Sequence, residues 1–147
     1  MVYVDGGCFF WLYLRFSYSN MANFIKQSVI NKAMKVAQGS DVLRAKVGAV
    51  LFTNNGNIIT QACNSSFYGL DKKKIFTIHA ERYLLAKAFR LKALHRFQKL
   101  NILVVRYKKS IKGFCNAKPC VECAFYLKEA GLPVYYTDDD GNIQKLK

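Results

Sequence analysis

Acidic residues and prolines are scarce in this 147-residue sequence, which has nine Asp and Glu against 23 Lys and Arg, and two prolines. The few prolines, together with nine glycines, exclude a collagen-like or low-complexity chain. No repeat recurs along the sequence, so a solenoid is excluded. Apolar residues make up 52% of the chain, enough for a hydrophobic core. The formal net charge of +14 favours polyanionic or phosphorylated partners, although a solvated basic surface would have the same composition.

Long hydrophobic runs are also missing. The most apolar segment, Cys8 to Leu14, has seven residues, far fewer than a membrane span needs. No Lys or Arg precedes it, which is atypical of a secretory signal. We therefore expect no membrane partner. We expect residues 1–20 to be an N-terminal extension outside the domain and residues 21–147 to be the domain. The alternative is that the extension adds a short strand to the edge of the core.

Cysteine is present in an odd number, and no secretory signal accompanies it. The five cysteines are Cys8, Cys63, Cys115, Cys120 and Cys123. This pattern argues against a disulfide framework and indicates a reducing, cytoplasmic compartment. In that setting the Cys-x-x-Cys pair formed by Cys120 and Cys123 is typical of metal or redox chemistry.

The periodicity of apolar residues predicts alternating helices and strands. The predicted helices cover residues 23–38, 78–96 and 119–130, and the predicted strands cover residues 47–52, 58–63, 102–107, 134–137 and 142–146. Residues 64–77 and 108–118 are expected to be loops. This order predicts the α/β class, with a three-layer α/β/α sandwich around a mixed five-stranded sheet. The turn at residues 138–141 predicts an antiparallel C-terminal hairpin.

Two short motifs fall at the predicted starts of two helices. The first is His79-Ala80-Glu81, and the second runs from Pro119 to Cys123 with the sequence PCVEC. One imidazole and two thiolates are a three-ligand set for Zn²⁺, and three ligands leave a fourth position open for water, as in catalytic zinc sites. Bound zinc lowers the pKa of such a water toward neutrality. Glu81 would lie close enough to move a proton between this water and a substrate.

Other interpretations of these residues remain open. Cys115 is the nearby candidate for a fourth ligand, and its coordination would make the zinc site structural rather than catalytic. Glu122 lies between the paired cysteines and is expected to be a first-turn charge of the helix rather than a catalyst. His95 is expected on a helix surface, and Cys63 in the core of a strand.

The pairing of H-x-E with P-C-x-x-C is the signature of zinc nucleobase deaminases. The sequence from Met21 to Leu146 therefore resembles the cytidine/deoxycytidylate (CMP/dCMP-type) zinc-dependent deaminase superfamily. The resemblance implies a cytidine-deaminase-like fold. It also implies a zinc-dependent hydrolase that converts a cytosine base, in a nucleoside or nucleotide, to uracil and releases ammonia.

The same resemblance implies a role for each site residue. The zinc ligands would be His79, Cys120 and Cys123. The catalytic proton shuttle would be Glu81. The residues that contact the substrate would be Asn64, Ala49 and Ala80. Because relatives often assemble, the resemblance also implies a homo-oligomer in which neighbouring copies complete the pocket.

The distribution of charge bears on the substrate. No acidic residue lies between Glu81 and Glu122. The basic residues of that stretch are Arg82, Lys87, Arg90, Lys92, Arg96, Lys99, Arg106, Lys108, Lys109, Lys112 and Lys118. Such a cluster beside the site favours a phosphate-bearing substrate, unless it is only a solvated helix face.

Aromatic residues flank the same site. They are Phe67, Tyr68, Tyr107 and Phe114, which would suit stacking on bases unless they face the core. The alternative substrate is therefore cytosine or adenine in single-stranded DNA or RNA, which presents an unpaired base. A zinc-loaded, non-catalytic nucleic-acid-binding protein is the third interpretation, and the presence of Glu81 argues against it.

Overall fold

The computed structural model describes residues 25–70, 72 and 75–147. The expected extension at residues 1–20 and the predicted beginning of the first helix lie outside the described residues. Within the described part of the chain, no helix is both long enough and apolar enough to cross a bilayer.

The described residues contain four helices, eight strands and a short 3₁₀ turn, which loops connect. The helices are α1 (Gln27–Gln38), α2 (Ala80–Arg90), α3 (Ala93–Arg96) and α4 (Val121–Glu129). The strands are β1 (Lys46–Thr53), β2 (Ile58–Cys63), β3 (Ser65–Tyr68), β4 (Ile75–Ile78), β5 (Leu100–Lys108), β6 (Gly113–Cys115), β7 (Val134–Thr137) and β8 (Ile143–Lys145). The 3₁₀ turn is Lys109–Ile111.

One mixed sheet carries the fold. Its strand order is β2-β1-β5-β7-β8, and β6 pairs with the end of β5. Strand β1 pairs antiparallel with β2 and β5, whereas β5 pairs parallel with β7. Strands β7 and β8 form an antiparallel hairpin, and its turn contains Gly141 at a φ of +81°, where glycine is favoured. The predicted mixed sheet and C-terminal hairpin are confirmed, and β6 is an addition to them.

Strands β1 and β5 place alternate side chains on the two faces of the sheet. The residues that pack with α1 are Val50, Phe52, Leu103 and Val105. The residues that pack with α2 and α4 are Ala49, Leu51, Ile102 and Val104. Since both faces of these strands are buried against helices, the predicted three-layer α/β/α sandwich is confirmed.

The segment between β2 and α2 is not the loop that the sequence predicted. Ser65–Tyr68 and Ile75–Ile78 form β3 and β4, a hairpin separate from the main sheet. Both segments are rich in β-forming residues, and the rings of Phe67 and Phe76 stack with centroids 5.3 Å apart, which stabilises the pair. Residues 108–118 likewise contain the 3₁₀ turn and β6 rather than loop alone.

The helix predicted over residues 78–96 is interrupted. Helix α2 ends at Arg90, and Lys92 adopts a left-handed φ of 51° before α3 begins. Leu91 and Leu94 are 45% and 42% exposed. The prediction was wrong here because the end of the apolar stripe gains little burial, so packing does not sustain the helix.

Gly48 in β1 is the point at which α1 approaches the sheet. A Cβ added to Gly48 would lie 2.6 Å from the backbone nitrogen of Ala37 and 2.7 Å from the carbonyl oxygen of Ala33. Both are backbone atoms of a helix whose inner face is buried, so neither can rotate away. The absence of a side chain at Gly48 therefore allows the helix to lie this close to the strand.

Gly48→Ala is expected to lower the free energy of unfolding by about 1–3 kcal/mol or more, because the new methyl group forces α1 away from β1. Urea denaturation measures the change. Gly39→Ala is the matched control: Gly39 has a φ of −73°, and an added Cβ would lie 3.4 Å from its nearest neighbour. The control should stay within about 0.5 kcal/mol of the wild type. Equal stability of the Gly48→Ala variant and the wild type would show that the helix does not need this close approach.

Candidate metal centre and active site

The two sequence motifs meet at the N-terminal ends of two helices on one face of the sheet. His79 directly follows β4 and is the N-cap of α2. Cys120 is the N-cap of α4, and Cys123 lies in the first turn of that helix. Helix N-termini carry partial positive charge, so this position favours thiolates. The helix starts thus bring together residues that are far apart in the sequence.

The distances between these side chains fit a shared metal ion. The Nδ1 atom of His79 lies 3.6 Å from the Sγ atom of Cys120 and 3.3 Å from that of Cys123. All three ligand atoms lie within 4.8 Å of one another. Tetrahedral zinc, with usual bond lengths to nitrogen and sulfur, separates two such ligands by about 3.6 Å. Both the donor types and their spacing therefore fit Zn²⁺.

The two thiols differ in their surroundings. Cys120 is exposed, and its Sγ accepts a hydrogen bond from the backbone N–H of Cys123 at 3.4 Å. Cys123 is buried, and burial raises the pKa of its thiol well above the ordinary value, with a further increase from the Glu81 carboxylate. A divalent cation would oppose both effects by stabilising the thiolate. The thiol of Cys123 would therefore ionise more readily with a metal bound than without one.

Cys115 does not join this group. Its Sγ contacts the carbonyl oxygen of Arg106 at 3.7 Å, on the neighbouring strand. Within the described residues, the cluster of His79, Cys120 and Cys123 contains no fourth His, Cys, Asp or Glu. Three protein ligands leave a coordination position for water, which is the catalytic arrangement rather than the structural one.

Glu81 lies in the first turn of α2 and is 5% exposed. Burial raises the pKa of its carboxyl, whereas a backbone hydrogen bond and the charge of His79 lower it. The side chain lines the same cavity as His79 and Cys120. A buried carboxyl beside a metal site is suited to accept and donate protons.

A cavity of about 330 Å³ opens at this cluster. Its walls contain residues from the loop before β1, from β1, β4 and β5, from the position after β2, from the start of α2 and from the segment before α4. They are Val42, Ala45, Val47, Asn64, Thr77, His79, Ala80, Glu81, Arg106, Asn116, Ala117, Lys118 and Cys120. The volume is within the range of small-ligand sites, so the cavity has room for a small molecule beside His79 and Cys120.

A comparison with protein families identifies this arrangement. The model of the cytidine and deoxycytidylate deaminase zinc-binding region matches residues 25–137. The chain belongs to this deaminase family. The resemblance seen in the sequence is thereby confirmed, and so is zinc as the cofactor, since the His/Cys/Cys cluster of this deaminase is positioned to hold a metal.

Other comparisons are more distant. A sequence search of curated proteins found no match to the deaminase. Among solved structures, two mutants of cytidine deaminase from Mycobacterium tuberculosis are similar to it, each with a TM-score of 0.44 and 21% identity. Both alignments cover 71% of this chain, and they cover 76% and 79% of the mycobacterial chains. Family membership establishes zinc-dependent deamination as the general chemistry.

Asn64 of the deaminase braces the loop before β1. Its Oδ1 accepts hydrogen bonds from the Ser40 hydroxyl at 2.7 Å and from the Val47 backbone N–H at 2.8 Å. Its Nδ2 donates to the carbonyl oxygen of Ala45. Asn64 and Ser40 are 5% and 3% exposed. The side chain therefore holds the cavity wall in place, and its second amide hydrogen has no partner among the described residues.

Asn64→Ala is expected to lower the free energy of unfolding by about 2–4 kcal/mol, because it leaves buried partners on both sides of the loop without hydrogen bonds. Urea denaturation provides the measurement. Asn57→Ala is the control, since Asn57 is exposed and should change stability by less than about 0.5 kcal/mol. If both variants were equally stable, the brace would be unimportant for folding.

The remaining residues singled out in the sequence lie in several places. Ala80 lines the cavity, whereas Ala49 is fully buried in the core on the same face of the sheet. Their contacts with substrate stay predictions. Glu122 forms an exposed ion pair with Arg82 at 3.1 Å, as expected of a first-turn charge. His95 is exposed as expected, whereas Cys63 is half-buried rather than in the core.

Several cavity residues were missed by the sequence analysis. Thr77 and Asn116 line the cavity from segments that were expected to be loops, and Ser40 supports Asn64 from outside any predicted element. The alternation of β-forming residues on both sides of Gly69 was the signal for the missed hairpin. No comparable local signal marks Ser40, because its role depends on a contact 24 residues away.

Proposed function

We propose that this deaminase converts a cytosine base, in a nucleoside or nucleotide, to uracil by hydrolysis and releases ammonia. The observation that carries the proposal is the buried carboxyl of Glu81 in the wall of a cavity that also contains His79 and Cys120. This combination provides a metal site, a proton carrier and a space for the base. Free Cys63 and Cys115 suit a reducing cytoplasmic location, which we include in the proposal.

The proposed roles follow from the positions of the side chains. His79, Cys120 and Cys123 would hold zinc, and zinc when bound would make a water molecule nucleophilic at neutral pH. Ala80 would contact one face of the base, and the free amide hydrogen of Asn64 would donate to the sugar. Since Asn64 is itself held by the loop, it would orient the nucleotide without moving.

Glu81 would carry the protons of the reaction. The water oxygen bonds to C4 of the base, and one water proton passes through the Glu81 carboxylate to N3. The second proton goes to the exocyclic amine, the C4–N bond breaks with its electron pair on nitrogen, and ammonia leaves. The C4 carbonyl then completes uracil. One carboxylate can serve both transfers because it is regenerated after each.

Charge at the cavity favours a nucleotide over a nucleoside. Arg106 and Lys118 line the cavity, and neither forms an ion pair with any described residue. Unpaired cations at the rim would attract a phosphate group on the sugar. We therefore expect kcat/KM to be higher for dCMP than for deoxycytidine.

A panel of substrates tests the proposed function. The zinc-loaded protein is mixed with cytidine, deoxycytidine, their monophosphates, adenosine, guanine and cytosine-containing single strands, and ammonia release is measured. We expect release from at least one cytosine substrate. A protein that binds zinc stoichiometrically and releases ammonia from none of them would overturn the proposal, and a reaction with adenosine alone would overturn the choice of base.

A further inference from the structure

The β3–β4 hairpin extends directly from the active site. Asn64 immediately precedes β3, and His79 immediately follows β4. The first strand pairs are Ser65 with Ile78 and Ser66 with Thr77, and Thr77 lines the cavity. The backbone N–H of Ser66 donates to a carboxylate oxygen of Asp41, which anchors this end of the hairpin. The hairpin is therefore a fixed extension of the cavity rim.

The outer part of the hairpin exposes large apolar side chains. Tyr68 and Ile75, which pair with each other, are 69% and 64% exposed. Phe67 and Phe76, the next pair inward, are 45% and 46% exposed. Exposed apolar surface of this extent next to a cavity is typical of a binding surface.

The two faces of the hairpin have different relations to the cavity. Residues two apart on a strand share a face, so Tyr68 and Ile75 lie on the face of Ser66 and Thr77. That is the face that meets the cavity, since Thr77 lines it. Phe67 and Phe76 stack on the opposite face. Tyr68 thus lies two strand pairs, about 7 Å along the strand, beyond the Ser66–Thr77 pair at the cavity.

The other aromatic residues noted in the sequence are not available for stacking. Phe114 is 4% exposed in the core, and Tyr107 packs against the same cluster of buried residues. Tyr68 is consequently the aromatic side chain of that set that combines high exposure with the cavity-side face.

Charge favours a polyanion over a second copy of the chain as the molecule that binds this surface. The formal net charge is +14, the rim contains Arg106 and Lys118, and three lysines, Lys72 to Lys74, follow Asp71 in the sequence between the two strands. A second copy of the chain would bring two strongly positive molecules together, whereas a polyanion would neutralise them. The outer pair of the hairpin lies about 7 Å beyond the pair at the cavity, where a strand that continues past the reacting nucleotide would reach it.

We propose that the hairpin is a stacking platform for a single-stranded polynucleotide, with Tyr68 contacting the nucleotide next to the cytosine in the cavity. This inference rests on the proposed function and names its substrate as a polynucleotide. Arg106 and Lys118 contact the phosphates on either side of the reacting nucleotide. Base stacking on an aromatic ring combined with a basic groove is how proteins bind single strands.

The test compares a thymidine 15-mer with one central deoxycytidine against dCMP, using the full, zinc-loaded chain. Tyr68→Ala should lower the ratio of kcat/KM for the strand to kcat/KM for dCMP by roughly 5- to 150-fold. Tyr68→Phe should retain the ratio, because the ring remains. Phe89→Ala is the matched control: Phe89 is 82% exposed in the last turn of α2, at the opposite end of this helix from β4, and the variant should leave both rates unchanged.

A second measurement needs no variant. For the wild type, the logarithm of kcat/KM should fall steeply with the logarithm of salt concentration for the strand, with a slope of about −0.7 for each phosphate contacted. The slope for dCMP should be shallow. Equal slopes for the two substrates would overturn the proposal.

The remaining outcomes of these experiments each bear on a different part of the proposals. If Tyr68→Ala dissociates an oligomer in sedimentation experiments and leaves the substrate ratio unchanged, the hairpin is an interface between copies and the proposal is wrong. The matched oligoribonucleotide, measured in the same way, identifies the strand as DNA or RNA by the higher kcat/KM, and absence of a Tyr68→Ala effect on both strands would overturn the proposal. Ammonia release from dCMP but not from strands would overturn this inference alone. Release from no cytosine substrate would overturn the proposed function itself.

Discussion

Glu81→Gln is expected to lower kcat for ammonia release by about 100- to 10,000-fold while leaving zinc content unchanged, because glutamine keeps the shape of the side chain and cannot carry a proton. Glu81 is 5% exposed and lies in the cavity wall, so a carboxylate from the solution could not take over its role in proton transfer. Coupled ammonia release gives kcat, and atomic emission gives the zinc content of the same sample.

Glu122→Gln is the matched control for this substitution. Glu122 is the other acidic residue of the two motifs, but it is exposed and pairs with Arg82 on the surface. An exposed ion pair contributes about 0–1 kcal/mol, so the control should keep near wild-type activity and stability. If Glu81→Gln retained wild-type kcat, a different group would have to carry the protons, and the proposed mechanism would be wrong.

Cys123→Ser should remove the zinc and the activity together. The loss of an outer-shell partner already costs about 10- to 100-fold in metal affinity, and a thiolate ligand should cost more. The wild type should also lose thermal stability on chelation, since a bound ligand at 100 times its Kd stabilises the folded state by about 2.7 kcal/mol. Zinc content after dialysis and the melting temperature with and without chelator are the two measurements.

Cys115→Ser is the control for the loss of a cysteine. Its Sγ contacts a backbone carbonyl rather than the metal cluster, so this variant should keep its zinc and most of its activity. If Cys115→Ser lost zinc as completely as Cys123→Ser, four protein ligands would hold the ion. The site would then be structural, and a hydrolytic function would be excluded.

The features of the site that the sequence could predict depend on residues close to one another in the sequence. Cys120 and Cys123 lie three residues apart at a helix start, a spacing that by itself places both thiols on one side. His79 and Glu81 are two residues apart, which places both at the start of α2, although this spacing alone does not put them on one helix face. Helix starts, glycine turns and alternating apolar residues depend on neighbouring residues, so they could be recognised without the fold.

The hairpin and the end of α2 show where sequence patterns were insufficient. Ser65–Tyr68 has no partner within itself, and it becomes a strand because Ile75–Ile78 lies beside it. The leucine stripe after Arg90 has helical spacing, yet Leu91 and Leu94 remain partly exposed, and Ala93 is the residue of this segment that enters the core. In both segments the secondary structure depended on contacts with residues elsewhere in the fold rather than on the segment's own sequence.

The sequence alone determined the chemistry available to this protein: one imidazole, two thiols and a carboxyl at the starts of two helices, in a strongly basic chain with a mixed α/β core. Only the tertiary structure decided that His79 lies within 3.6 Å of both sulfur atoms, that Asn64 braces the cavity wall, and that Tyr68 is exposed beside it. The reason is that a short motif dictates its own backbone geometry, whereas the distance between two motifs 41 residues apart depends on the packing of the sheet and helices between them.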